Sequence, residues 1–552
     1  MAGKKIEEAL NVAYTYLTHR FGPEEAEGLC RDLLLLSGCK KHDFKLVTSE
    51  RNLAYDNVQN IMSGLNEKES IRKSKGVYYT PTDVVKFILY NAFRGAAGQI
   101  ESGNLHRADL DGLPYGSLCF EKTVFDPTCG AGEFLLHCLD MKFDLLEANV
   151  KDVTSDMIGE VVGTLHGNDV NKESTAISKI RLYLCCVHRY GPERVTGVSE
   201  VLCGAFRNYD FVMKAKGKKD TYDIIVGNPP YVEDAKSGLN PEVKYGNIYA
   251  NVLENAAKML GKDGVFGFII PLSYVSTPRM EKIRKSLTKL VPEQYILSYS
   301  DRPDCLFTSV HQKLNILIGV KKDAEPKVFT GNYQYWYKEN REDLFRTTEV
   351  VENRFAKKEF IPKLGNALDC SIYQKVTGAS GRVSFADMKK SGGGNVYLNM
   401  RAAFWIKAFL NEHAGSEYKT LTFEHEGMRC YAMCLLNSSL FWWYWVCISD
   451  CWHITQKEFA NFFVPQLDDF AEVTRLAQCL ETELEETKVY VGTKQVEYEY
   501  KHRDCVEAIH RVDDYINRLF GLTEDESNYI KNFAYRYRIS GGANSRHVEE
   551  SN

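Results

Sequence analysis

The sequence predicts an α/β protein built on a Rossmann-like sheet of seven strands. Between residues 120 and 320, short runs rich in β-branched residues alternate with longer helical patterns. A glycine-bearing turn at 126–132 follows the first of these runs, and a proline pair, Pro229-Pro230, follows the fourth. Both turns come directly after predicted strands, which is where α/β proteins bind ligands.

The alternating segment predicts the bounds of each element. Three helices are predicted at 133–148, 171–188 and 247–260 from their length and apolar spacing. The seven strands are predicted at 123–125, 161–166, 200–203, 222–226, 265–270, 294–298 and 314–320. This alternation indicates a doubly wound, mostly parallel sheet.

The chain of 552 residues exceeds the size at which one hydrophobic core usually stops growing, so we expect several domains. Residues 1–70 show helical spacing and are predicted to form an N-terminal helical segment. Residues 71–325 hold the α/β pattern, and residues 326–552 mix aromatic-rich stretches with charged helical ones. The last region is predicted to be a mixed α+β domain ending in helices.

Composition excludes several classes of protein. A hydrophobic content of 44% with 26% charged residues is typical of a folded protein, not a disordered one. The charged opening and the lack of about 18 consecutive apolar residues predict a cytoplasmic protein without membrane contact. The 16 cysteines are scattered, so we expect reduced thiols, and we predict no metal site.

The turn after the first strand is a candidate nucleoside site. Gly130 and Gly132 let a ligand approach the backbone, and Asp126 and Thr128 supply polar groups beside it. A dinucleotide fingerprint requires a third glycine, where this chain has Leu135. The turn therefore favours a nucleoside other than a dinucleotide.

Two further segments extend this candidate site. Asp169 follows the second predicted strand, where its carboxylate can accept hydrogen bonds from a ribose diol. Tyr78, Tyr79 and Thr80 precede a helix predicted to begin near Thr82 and offer hydroxyl groups suited to a small carboxylate. We expect both segments to contact the same ligand.

The loop after the fourth strand reads Asn228-Pro229-Pro230-Tyr231. Prolines make it rigid and poor in N–H donors, so it presents a carboxamide, carbonyls and an aromatic ring. An amine conjugated to a ring is a poor nucleophile until acceptors hold its N–H groups. The Asn228 side-chain oxygen and the Pro229 carbonyl are predicted to be those acceptors.

Four segments of the chain, taken in order, resemble the gamma class of adenine-N6 DNA methyltransferases of restriction-modification systems. They are the segment 78–81, the turn 126–132, Asn168-Asp169 and the loop 228–231. The resemblance implies S-adenosylmethionine as cofactor, with Asn228 contributing to its site as well as to catalysis. It also implies that the target adenine is flipped out of double-stranded DNA, with Tyr231 on one face and Phe307 expected on the other.

One position departs from the family pattern. The family commonly has an acidic residue at the end of the third strand, and the prediction of a strand at 200–203 places Ala205 there. Either a backbone carbonyl substitutes for the carboxylate, or Phe206 and its packing hold the cofactor's adenine.

The resemblance also implies partners and roles outside the catalytic domain. The region after 325 is expected to recognise the target sequence in double-stranded DNA. A separate restriction endonuclease of the same system is the other partner that the resemblance implies.

Three other hypotheses remain open from the sequence. The same tetrapeptide occurs in protein-glutamine methyltransferases, which are short and poorly matched by this long chain. Cytosine-N4 methylation uses a related loop that usually begins with serine. A DNA-binding subunit that has lost catalysis is the third alternative, because a fold alone does not guarantee chemistry.

Overall fold

The computed structural model describes residues 3–48, 53–65, 80–100, 104–106, 120–214, 220–307, 310–413, 415–492 and 497–540. Tyr78 and Tyr79, two of the predicted cofactor residues, lie outside these ranges.

A nine-stranded mixed sheet forms the centre of the protein. Its strands in chain order are β1 Val124–Asp126, β2 Leu165–Asn168, β3 Phe206–Arg207, β4 Tyr222–Gly227, β5 Leu260–Pro271, β6 Glu293–Tyr299, β7 Leu314–Val320, β8 Lys327–Gln334 and β9 Val351–Glu352. Their spatial order is β9-β8-β6-β7-β5-β4-β1-β2-β3. Strand β7 is antiparallel to β5 and β6, and β9 is antiparallel to β8.

The α/β prediction is confirmed, and the predicted set of seven strands corresponds to β1–β7. The sheet then continues past residue 325, because β8 and β9 add to its edge beside β6. Central strands such as β7 are buried along their whole length, as expected when both faces of a mostly parallel sheet are covered.

Two predicted strand positions are wrong. Residues 161–163 end a helix, Ser155–Gly163, whose N-cap Thr154 accepts a hydrogen bond from the Met157 amide. Residues 200–203 lie inside a second helix, Val198–Ala205. Both helices are short and rich in valine, so their sequences look like strands although tertiary packing makes them helical.

Helices cover both faces of the sheet. The N-terminal segment forms helices at Lys4–Phe21, Pro23–Gly28, Cys30–Ser37 and Tyr55–Leu65. The longer helices that connect the sheet strands or precede them are Thr82–Ala96, Glu133–Asn149, Lys172–Tyr190, Ile248–Met259 and Glu281–Leu290. Apolar residues of the N-terminal segment share one core with the sheet face that carries Val124 and Val226.

The C-terminal region packs on the opposite face. Its helices are Ala367–Thr377, Glu426–Asn437, Ser439–Ile448, Gln456–Ala460, Ala471–Thr487, Val506–Leu519, Glu524–Asn532 and Tyr535–Ile539. Its strands are Arg382–Ser384, Lys389–Asn399, Ala408–Phe409, Tyr418–Phe423, Phe463–Pro465, Val489–Tyr490 and Tyr498–Glu499. Buried aromatic residues such as Trp443 join the core that includes Ile225 and Phe268 of the sheet.

Among the residues described, no helix is both long enough and apolar enough to cross a bilayer.

Candidate active site

A cavity of about 360 Å³ opens at the carboxyl ends of β1, β2 and β4. Five predicted site residues line it together: Thr128, Gly130, Asp169, Asn228 and Pro230. Its volume lies within the range of small-molecule pockets in proteins. The separately predicted turn, ribose carboxylate and carboxamide loop therefore face one cavity.

The glycine turn is held from behind by buried side chains. Gly132 has φ +86°, and a Cβ at that position would overlap Ser178 Oγ, so only glycine fits there. Arg181 Nη1 donates to the Ala131 carbonyl at 2.7 Å and to Glu133 Oε1 at 2.6 Å. Gly132 is thus a structural residue of the turn, while Gly130 lines the cavity.

The Asp169 carboxylate fastens two segments of the cavity wall. Its Oδ2 accepts from the Gly130 amide at 3.0 Å, and its Oδ1 accepts from the Asn171 amide at 2.8 Å. An ionised carboxylate accepts hydrogen bonds at both oxygens, from backbone amides and from a ligand's hydroxyl groups alike. The residue is both a brace for the turn and an acceptor facing the cavity.

Asp126 lies beneath the cavity and does not line it. Its Oδ1 accepts from the Thr128 amide at 3.0 Å, and the side chain is 2% exposed. Burial raises the pKa of this carboxyl well above its ordinary value; the bond from Thr128 opposes the rise and the charge of Asp169 adds to it. Asp126 therefore holds the turn in place through the Thr128 amide.

Cys129 lies in the same turn and is buried. Burial raises the pKa of its thiol well above the ordinary value, and the charges of Asp126 and Asp169 raise it further. A thiol in such surroundings stays protonated and inert.

The Asn228 carboxamide is oriented by a residue from a different part of the chain. Asn228 Nδ2 donates to Thr80 Oγ1 at 3.0 Å, and the Thr80 side chain is buried at 4% exposure. This contact turns Nδ2 towards Thr80 and Oδ1 away from it. Thr80, predicted to contact the cofactor, thus touches the catalytic candidate directly.

The remaining residues of the loop are held against the sheet. Tyr231 donates its hydroxyl proton to the Ile269 carbonyl of β5 at 2.9 Å, and its ring meets Tyr249 edge-on at 6.4 Å between centroids. Pro229 is buried, whereas Pro230 and Tyr231 are half-buried. The loop is therefore rigid with its ring fixed at the sheet edge.

Phe206 and Phe307, two of the predicted site residues that do not line the cavity, lie in the core. Phe206 lies in β3, and its ring packs against Gly167 in the core. Phe307 is 1% exposed and belongs to the same core as Leu306. In this conformation Phe307 cannot stack on a base without leaving that core.

Sequence reasoning missed Asp210 and Phe211, which line the cavity. They follow β3, which ends at Arg207, so the misplaced strand prediction put the expected acidic residue at Ala205 instead. Asp210 Oδ1 accepts from the Val212 amide at 3.0 Å, which fixes the carboxylate at the cavity rim. With the correct boundary of β3, the acidic residue Asp210 and the aromatic residue Phe211 that follow it could have been identified from the sequence.

Comparison with known proteins identifies the central part of the chain. Residues 164–304 match the family described as Eco57I restriction-modification methylase. Modification methylase CviBIII of Paramecium bursaria Chlorella virus NC1A is 30% identical over 30% of this chain and 36% of its own length. Type II methyltransferase M.VspI of Vibrio sp. (strain 343) is 24% identical over 40% of this chain and 42% of its own length.

A solved structure extends the likeness over most of the fold. The Type IIL restriction-modification enzyme MmeI, solved in complex with DNA, aligns over 94% of this chain and 84% of its own, with a TM-score of 0.51 and 10% identity. At that identity the alignment speaks for the fold only. The chain spans less than half the length of CviBIII and of M.VspI.

These matches confirm the resemblance that the ordered motifs carry. The matched segment contains Asp169, Asp210 and the loop 228–231, and thus most of the cavity. Residues 164–304 are therefore similar to the methyltransferase domain of restriction-modification methylases.

Proposed function

We propose that this chain transfers a methyl group from S-adenosylmethionine to the N6 amino group of adenine in double-stranded DNA. One observation carries the proposal: Asn228, an acceptor suited to an amine, lines the same cavity as Asp169, an acceptor suited to a ribose. A nucleoside cofactor and a planar amine can therefore meet at one place.

The residues of the cavity fit the cofactor. Asp169 and Asp210 offer carboxylates for hydroxyl and amine donors, and Phe211 and Ile248 offer apolar contact for a flat ring. S-adenosylmethionine, when bound, supplies an electrophilic methyl group. The chain then has to hold the cofactor, orient the amine and keep both in a sheltered site.

The chain has two chemical tasks: to accept hydrogen bonds from the amine and to orient its lone pair. Asn228 Oδ1 and the Pro229 carbonyl oxygen accept hydrogen bonds from the two N–H groups of the amine. These hydrogen bonds direct the nitrogen lone pair out of conjugation with the ring. The nitrogen gains a methyl group and releases one proton to water. Neither a strong base nor an activated nucleophile is required, in agreement with the inert Cys129 thiol.

Double-stranded DNA is the proposed substrate because the segment 164–304 belongs to a family named for restriction-modification methylases. Adenine is the proposed base because the loop begins with asparagine. The half-buried Tyr231 ring at the loop's end provides a stacking face for an extruded base.

The test is transfer of a labelled methyl group to mixed-sequence duplex DNA, followed by digestion and chromatography of the nucleosides. We expect label in N6-methyladenine. Label in N4-methylcytosine would reassign the target base, and label only in added protein glutamine would point to the protein-methylating alternative. Cofactor binding without transfer to any of many sequences would contradict the proposal.

Replacing Thr80 by valine should lower kcat by about tenfold while the KM for the cofactor changes less. Valine keeps the shape of threonine but removes the oxygen that accepts from Asn228 Nδ2, so the carboxamide loses its fixed orientation. Thr80→Ser keeps that oxygen and is the matched control, expected to restore most of kcat. Steady-state kinetics of both variants measure the difference, and equal kcat values would show that Thr80 has no orienting role.

A further inference from the structure

A second, larger cavity of about 800 Å³ lies in the C-terminal half of the protein. Its walls come from the loop after β6, the segment 399–407, Trp452, the segment 499–503 and the end of the chain's last described helix, Tyr535–Ile539. It shares no lining residue with the cavity at Asn228 among the residues described. We refer to it as the basic cavity.

The charge of the basic cavity is opposite to that of the whole chain. The chain carries a net charge of −5, yet only one carboxylate, that of Glu499, lines this cavity among the described residues. The cationic residues that line it are Arg302, Arg401, Lys407, Lys501, Arg503 and Arg538. Six cations against one carboxylate favour an anionic ligand.

Several of these cations have few competing partners. Arg401 pairs with Glu417 at 3.0 Å and Arg503 with Asp504 at 3.5 Å. The side chains of Arg302 and Lys501, by contrast, have no ion pair or hydrogen bond within the described part of the chain. Their charge is thus available to a ligand.

Arg538 forms a buried floor to the basic cavity. Its guanidinium lies 4.0 Å from the Trp405 ring centroid and 4.6 Å from that of Trp442, and the residue is 1% exposed. Nη1 donates to Ser439 Oγ at 3.1 Å, while Nη2 has no hydrogen-bond partner among the described residues. A buried guanidinium with an unmet donor is costly unless an acceptor approaches it.

An exposed aromatic ring lies at the edge of the basic cavity. Trp452 is 37% exposed, with the Arg302 guanidinium 5.6 Å and the Lys313 ammonium 4.6 Å from its ring centroid. Interleaved cations and aromatic faces are typical of surfaces that follow a nucleic-acid strand.

The position of Arg302 relates the basic cavity to the catalytic loop. Strand β4 is parallel to β5, β5 is antiparallel to β7, and β7 is antiparallel to β6. Strands β4 and β6 therefore run in the same direction. Their carboxyl ends lie on one sheet edge, three strand spacings of about 4.8 Å apart, or about 14 Å. That separation corresponds to about four steps of 3.4 Å along a DNA strand.

We propose that the basic cavity binds the phosphodiester backbone of the DNA substrate, about four nucleotides from the base that reacts at Asn228. The inference rests on the proposed function for the presence of DNA, and it adds the binding site that holds the strand. Phosphate oxygens accept from Arg302 and Lys501 at the rim, and Trp452 packs against the sugar or base beside them.

The double variant Arg302→Gln/Lys501→Gln tests the proposal in equilibrium binding to mixed-sequence duplex DNA over a range of salt concentrations. We expect affinity to fall by about tenfold, and the slope of log K against log salt to become shallower by about two, one unit for each lost phosphate contact. Arg354→Gln/Lys40→Gln removes the same charges from exposed positions elsewhere and should change neither quantity. Calorimetry with S-adenosylmethionine checks that the cofactor site is intact.

The outcomes distinguish a phosphate of the DNA backbone from the phosphate of a small ligand. Unchanged affinity and slope in the double variant overturn the proposal. Binding of inorganic phosphate or a mononucleotide to the wild type, lost in the variant while duplex binding persists, also overturns it in favour of a free phosphate-bearing ligand. The binding measurement does not depend on turnover. A wild type that binds duplex through this cavity, yet transfers no methyl group in the separate transfer assay, would contradict only the proposed function.

Discussion

Replacing Asn228 by alanine should lower methyl transfer by about 10²- to 10³-fold, the effect expected when a fixed polar group aimed at the reacting atom is removed. Alanine takes away the side-chain oxygen that accepts from the amine, together with the Nδ2 group that donates to Thr80 Oγ1. Single-turnover kinetics with labelled cofactor measure the loss directly.

The cofactor should still bind to Asn228→Ala. Asp169, Gly130 and Asp210 line the cavity independently of the carboxamide, so calorimetry should give a dissociation constant within about threefold of the wild type. Asn240→Ala, at an exposed position in the loop that follows, is the matched control and should keep full activity. Substantial turnover by Asn228→Ala would remove this residue from the mechanism.

Replacing Asp169 by alanine should weaken cofactor binding by about two orders of magnitude. The carboxylate accepts from the Gly130 and Asn171 amides at 3.0 and 2.8 Å, so its loss loosens the turn and removes the ribose acceptor together. Hydrogen bonds to a charged group contribute about 1.5–3 kcal/mol each, and about 3 kcal/mol corresponds to about a hundredfold in affinity.

Two variants separate these contributions of Asp169. Asp169→Asn keeps one acceptor oxygen and should bind the cofactor with intermediate affinity. Asp152→Ala removes an exposed carboxylate elsewhere in the domain and should bind normally. Thermal unfolding of each variant checks the fold, and wild-type cofactor affinity in Asp169→Ala would exclude the ribose role.

The central features of the fold and site could be predicted because they depend on local sequence. Glycines with positive φ, a carboxylate after β2 and a proline-rich loop after β4 each have a distinct pattern, and all three lie at the carboxyl edge of one sheet. Element order therefore sufficed to bring Gly130, Asp169 and Asn228 together. The assignment of individual roles stays a prediction that the variants above test.

Errors arose where sequence patterns are ambiguous or contacts are distant. Strand β3 has only two residues, too few for an alternating pattern, and the valine-rich helix before it was mistaken for a strand. That displacement hid Asp210 and Phe211. The hydrogen bond from Asn228 to Thr80 joins residues 148 positions apart, and the burial of Phe307 depends on the packing of the whole sheet.

The buried Arg181 gives the N-terminal segment a thermodynamic link to the cofactor site. One guanidinium holds the Ala131 carbonyl of the glycine turn and, through Nε, Gln59 Oε1 at 2.9 Å, while Ser63 Oγ donates to the shared partner Glu133 at 2.7 Å. If packing of helix Tyr55–Leu65 favours the turn conformation that binds a ligand, then ligand binding stabilises the packed helix by the same free energy. Ligand binding at Gly130 and packing of helix Tyr55–Leu65 beside the turn thus stabilise each other.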